Sequence, residues 1–185
     1  VEVATVTISA SYGAGGSVVG PAVAQKLGLP FLDRTIPVEV ARRLQLPPEE
    51  ASARDERVDG RFLRLLRSFT PLMGPLGPEV TPMELPGGAE AFRDETEAVI
   101  REAADGTGAV ILGRAAMVVL KGRPDVLCVR LDGPTEERLA QACRHDPSLD
   151  RASAEQHQRD TDRTRDAYVR AFYGVHMSDP GLYHL

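Results

Sequence analysis

Residues 3–28 read VATVTISASYGAGGSVVGPAVAQKLG, and the way this stretch divides decides the fold. Val3, Val6 and Ile8 give its first part β-strand character, Ser9 to Tyr12 lead the chain out of the sheet, and apolar residues then resume with helical spacing. In between, Gly13, Gly15 and Gly16 permit backbone angles that other residues resist, so that successive N–H groups can converge at a helix N-terminus. Such a concavity suits an anion, and the residues that would build it run Tyr12, Gly13, Ala14, Gly15, Gly16 and Ser17. The helix that follows would set Val19, Ala22, Val23 and Leu27 in a stripe against the sheet, with Pro21 in its first turn and Gly28 as its stop. The competing reading is a glycine-rich turn between two core elements. Two common nucleotide signatures are incomplete here: a Walker loop, G-x-x-x-x-G-K-[ST], would place lysine at Gly16, and a dinucleotide fingerprint would need glycine at Val18.

The chain has 185 residues, enough for one domain with a substantial core and an inserted segment. Its formal net charge of -5 at pH 7 argues against a general nucleic-acid binder, which needs a basic excess, so any phosphate site is local. No apolar run approaches the roughly 20 residues of a membrane span, and nothing resembling a signal peptide precedes the first strand, which leads us to expect a cytoplasmic protein without a membrane partner. Cys128 and Cys143 lack ligand or CxxC spacing and read as reduced packing residues; the four histidines are equally scattered, so no metal site is expected.

Beyond Gly28, LPFLD is a short strand ending in Asp33, which is either a ligand contact at the carboxyl edge of a parallel sheet or an N-cap. From about residue 35 to 92 the pattern turns helical, with arginines 57, 61, 64 and 67 at helical spacing, and then irregular through the proline- and glycine-rich run 70–88. We read it as an insertion over the ligand edge. An amphipathic helix over Phe92–Ala104 leads into GAVILGRAA (108–116), a continuous apolar run that marks a strand covered on both faces. Its end carries Arg114. A guanidinium in that position is costly unless it meets an anion, and its planar fork suits phosphate or carboxylate, so Arg114 reads as a ligand residue or, alternatively, as half of a structural ion pair. DVLCVRLDG (125–133) is the next strand and PTEERLAQACRHD (134–146) the next helix, its acidic first turn matching the helix dipole. Strands alternating with helices predict a parallel sheet. The highly charged segment 150–185 contains a helix over Ala154–Phe172 that places Asp162, Arg165, Val169 and Phe172 on one face, and arginines 159, 163 and 170 on an adjoining one. Arg165 could thus reach a ligand, or the helix could be a salt-bridged surface element.

Four of these stretches together, YGAGGSVVGPAVAQKLGLPFLD, VILGRAA, RPDVLCVRLDGPTEERL and DRTRDAYVRAFYGVHMSDPGLYHL, resemble the cytidylate kinase-like family of bacterial P-loop proteins. The likeness spans nearly everything outside residues 35–92. It implies a three-layer α/β P-loop fold in one domain: a central parallel sheet, a helical monophosphate-binding insertion at about 35–92, and a helical lid at about 145–172. It also implies ATP and Mg²⁺ as cofactors, small-molecule nucleotides as partners, and phosphoryl transfer to a nucleoside monophosphate, CMP or dCMP. Matched residue by residue, the loop from Tyr12 to Ser17 would bind ATP phosphates, Asp33 and Arg114 the monophosphate, and Arg114, Arg165 and Asp162 would act in transfer. The alternative is a degenerate relative that binds nucleotide without transferring. Departures bear on that choice. Cytidylate kinase has lysine at the position of Gly16 and threonine at that of Val18; the kinase-like family commonly shows SREYGSGGREIG where this chain has SASYGAGGSVVG (9–20). Ala115 stands where cytidylate kinase has aspartate, and a last strand is expected beyond LYHL.

Overall fold

The computed structural model describes residues 4–33 and 88–185, with side chains in the second span from residue 93. The expected insertion, with its arginine series and proline-rich run, lies almost wholly outside the described residues. Four parallel strands form one sheet in the order β2-β3-β1-β4: β1 Thr5–Ala10, β2 Phe31–Leu32, β3 Val110–Leu112 and β4 Val126–Leu131. Helices α1 (Gly16–Leu27), α2 (Gly88–Asp105), α3 (Ala116–Val119), α4 (Thr135–His145) and α5 (Arg151–Tyr173) complete the described chain, with a 3₁₀ turn at Pro180–Leu182. This is the mixed α/β architecture of a P-loop kinase-like fold, with the sheet between layers of helices. Among the described residues no helix is long and apolar enough to cross a membrane.

Register brings the functional edge together. Val6 pairs with Val110 and Ile8 with Leu112 on one side of β1, while Thr5 through Ala10 pair with Val126 through Leu131 on the other. Strands β1, β3 and β4 therefore all end on the same edge. Alternation along β1 splits the core in two. Val6 and Ile8 pack with Ala24 and Val110, beside Val23 and Phe31. On the opposite face Ile111, Met117 and Leu120 pack with Ile100 of α2 and with Tyr168 and Val169 of α5. Ile100 and Ile111 are fully buried, each contributing about 1.5–3 kcal/mol through loss of apolar surface from water.

Helix α1 differs from expectation in two ways. Its buried residues are Gly16, Gly20 and Ala24, while Val19 is 37% and Leu27 53% exposed. Small residues at i, i+4 and i+8 let the helix lie close to the sheet: a Cβ at Gly20 would stand 2.6 Å from Phe31 Cε2. The proposed stripe of Val19, Ala22, Val23 and Leu27 holds only for Val23. Pro21 lies beyond the first turn, because the helix already begins at Gly16 and simply forgoes the bond a proline cannot donate. Helices α2 and α5 run longer than their patterns and α4 one residue shorter at each end, α5 being capped by Asp150, which accepts from Ser153 N–H, and by Gly174 in the left-handed region.

Past the 3₁₀ turn, the last residues lie along β4. His184 and Leu185 N–H groups donate to Cys128 O, and Arg130 N–H donates to Leu185 O at 2.9 Å. The His184 Nδ1 accepts from Cys128 N–H at 2.9 Å. Both cysteines are free thiols, Cys128 in β4 and Cys143 in α4.

Candidate functional site

The glycine loop leaves β1 at Ser11 and enters α1 at Gly16, with Gly13 (φ 76°) and Gly15 (φ 83°) both left-handed. At Gly13 this freedom coincides with crowding, since a Cβ there would stand 2.2 Å from the carbonyl oxygen of Arg138. The N–H of Ala14 is used within the loop, donating to Ser11 O at 3.0 Å. Among the described residues, the N–H groups of Gly13, Gly15, Gly16 and Ser17 have no protein acceptor. They lie at the positive end of α1, an arrangement that favours an anion.

Tyr12 plays a different part from the rest of the expected set. Its N–H donates to Asp162 Oδ1 at 2.7 Å, and its carbonyl accepts from Arg138 Nη1 at 2.8 Å. Arg138 Nη1 also donates to Asp162 Oδ2 at 2.9 Å. The backbone of one residue at the entry of the loop is thus gripped from both sides by an ion pair between α4 and α5, whose side chains are only 12% and 32% exposed. Charge-assisted bonds in such a partly enclosed setting are worth more than surface pairs. The Tyr12 phenol has its pKa raised by burial and by nearby Cys143 and Asp146, with Arg165 acting in the opposite direction.

Arg165 and Asp162 do share a face of α5 that meets the loop. Arg165 Nη1 donates to Ala10 O at 2.6 Å. Burial lowers the guanidinium pKa, opposed by the negative charges of Asp162 and Asp33. Arginines 159, 163 and 170 are exposed, as the adjoining face requires. A cavity of about 210 Å³ behind the loop is lined by Ser11, Arg130, Asp132, Arg138, Asp162 and Arg165, among others.

Arg114 sits two residues past the end of β3 in an unusual backbone run: Gly113, Arg114 and Ala115 are all left-handed, at φ 73°, 56° and 53°. Two consecutive non-glycine residues in that region cost of order 1–3 kcal/mol each, a strain that concentrates at ligand sites. Asp33 closes β2, beside β3 on the same edge. Its N-cap alternative concerns residues outside those described.

Arg130 and Arg138 were not foreseen as part of the site. Arg130 donates to Ser11 Oγ at 3.1 Å, to Asp132 at 3.0 Å and to Met177 O at 2.9 Å, tying the loop, β4 and the segment after α5 together. The signal was present: Arg130 stands near the carboxyl end of a parallel strand, the same position that singled out Arg114. Arg138 carried no comparable signal, because in PTEERL it reads as an ordinary exposed helix residue.

These groups fit phosphate oxygens. Toward Mg²⁺ they offer the Ser17 hydroxyl, at the [ST] position of the Walker pattern, while Asp132 and Asp162 are engaged by arginines. Among the described residues no cluster of three or more histidine, cysteine or carboxylate side chains could hold a metal ion.

No curated protein matches the chain. Among solved structures, the crystal structure of an uncharacterized protein from Eubacterium ventriosum superposes with a TM-score of 0.64 at 15% identity, covering 97% of this chain and 84% of that one, which shows the shared fold. The sequence model of the cytidylate kinase-like family matches residues 5–185, the β1 strand, the glycine loop, Arg114 and the α5 face included, and the chain belongs to that family.

Proposed function

We propose that the chain is a nucleoside monophosphate kinase of the cytoplasm, transferring the γ-phosphoryl group of ATP to CMP or dCMP. The observation that carries this reading is the register of β1 and β3: the glycine loop leaves β1 at Ser11 and Arg114 follows the end of β3, both just past the Ile8–Leu112 pair, on strands a single sheet spacing apart. Two phosphate-binding elements so placed suit a donor and an acceptor phosphate brought side by side. Family membership supports nucleotide phosphorylation; the choice of cytidine rests on the family resemblance.

In this mechanism the N–H groups of Gly13 and Gly15 to Ser17 hold the ATP phosphates, and Arg114 holds the monophosphate with its planar fork. Asp33 is the candidate contact to the acceptor nucleoside. Asp162 fixes the loop through Tyr12 N–H, and Arg165 places positive charge behind it. An acceptor phosphate oxygen bonds to the γ-phosphorus as the bond to the β,γ-bridging oxygen breaks, leaving ADP and a nucleoside diphosphate. Such transfer needs positioning and charge stabilisation more than covalent catalysis. Mg²⁺, when bound with ATP, supplies neutralisation of phosphate charge.

Incubation of purified protein with ATP, Mg²⁺ and a panel of monophosphates tests the proposal. ADP formation with CMP or dCMP, well above that without acceptor, is expected. A second reading, a nucleotide-binding protein without transfer, is favoured by Gly16 and Val18 in place of the lysine and threonine of cytidylate kinase. ATP binding with no transfer to any acceptor would decide for it.

A further inference from the structure

We infer that Ala10 and Gly16 form a matched pair that keeps the phosphate loop free of lysine: the methyl at 10 fills the space through which a side chain at 16 would leave the backbone. Counted in the Walker pattern with Gly15 as its second glycine, the first glycine falls on Ala10 and the lysine on Gly16. Both are exchanged together. Gly16 is not among the left-handed glycines, so backbone conformation does not demand glycine there. Space does. A Cβ at Gly16 would lie 2.8 Å from Ala10 Cβ and 3.1 Å from Leu112 Cδ1.

Ala10 has little freedom to withdraw. It is the last residue of β1, paired with Leu131, and its carbonyl is held by Arg165 at 2.6 Å. The next residue, Ser11, donates its N–H to Leu131 O at 3.0 Å. A Walker loop keeps the first position bare and lets a side chain out at the seventh; this chain fills the first and bares the seventh. Ala10 is thereby a specificity-determining residue, because it decides whether a bound phosphate can meet a cation carried by the loop itself. That consequence rests on the proposed ATP site, whereas the steric pairing does not.

Two measurements separate the two. In nucleotide-free thermal melts, Gly16→Ala should lower the Tm by roughly 3–10 °C in the native background, the cost of overpacking, and by little in an Ala10→Gly background. Equal falls in both backgrounds would overturn the pairing. In calorimetric titration with MgATP, Ala10→Gly/Gly16→Lys should bind roughly ten- to a hundredfold more tightly than Ala10→Gly, the worth of one charge-assisted contact. Gly16→Lys alone should show no such gain; a gain as large as that of the double variant would also overturn the pairing. Coupled melts with identical MgATP affinity in folded Ala10→Gly and Ala10→Gly/Gly16→Lys proteins would uphold the pairing and remove ATP from the loop.

Discussion

Gly13 is the least replaceable residue of the loop. Its left-handed φ of 76° already disfavours a side chain, and the 2.2 Å approach of a Cβ to the Arg138 carbonyl is to backbone, which cannot rotate aside. Gly13→Ala should therefore cost about 2–5 kcal/mol of stability, read as a lowered denaturant midpoint with an unchanged slope. A loss under 1 kcal/mol would mean that the loop readily moves away from α4. Arg114 makes the opposite kind of prediction, functional rather than structural. Arg114→Lys keeps the charge but loses the fork, and should raise KM for the monophosphate roughly tenfold or more while leaving KM for ATP near its native value. If both constants rose together, Arg114 would belong to the ATP side of the site.

At the level of elements, α1 shows how a helix can be located from sequence and still be misjudged. The strand, the glycine loop and the stop at Gly28 were legible because each follows from a local rule of backbone conformation. The buried face was not, because amphipathic reading weights Val19 and Leu27 over glycine, whereas close helix–sheet contact selects Gly16, Gly20 and Ala24 for lack of bulk. Gly20→Val should accordingly destabilise by about 1–3 kcal/mol through collision with Phe31, and Leu27→Gln should stay within about 0.5 kcal/mol of native. Chemical denaturation of the two variants checks the pair, and the reverse order of effects would restore the amphipathic stripe. The site divides in the same manner. Arg165 and Asp162 could be placed on one face from helical period alone. The grip of Arg138 on Tyr12 could not, because it joins residues 126 positions apart through an approach that only the packed α4 and α5 create.

For the whole molecule, a common pH response follows from carboxylates held below their ordinary value of 3.8. Asp125 is lowered by hydrogen bonding from Arg123, Asp146 by Ser148, and Asp150 by the Ser153 N–H. At Asp132 burial pushes upward, and hydrogen bonds from Gly133 N–H, Ser11 and Arg130 outweigh it. A carboxyl depressed by folding binds fewer protons in the native state than in the unfolded one. Its stabilisation is complete above about pH 4 and disappears as pH falls through the lowered native values. Melting temperature should thus fall steadily on acidification below pH 4 and be insensitive to these groups above it; a Tm that rose on acidification would contradict the assignment. The sheet as a whole has one further property, set by His184 and Leu185. An outermost strand displays a row of vacant amides and carbonyls, an invitation for another chain to add itself. Among the described residues, that invitation is short on one flank, because β2 spans only Phe31–Leu32, and on the other His184 and Leu185 occupy Cys128 and Arg130 of β4. His184→Pro, which removes one of the amides that pair with Cys128, should therefore show itself as self-association, with β4 of one copy recruited as the growing margin of the next.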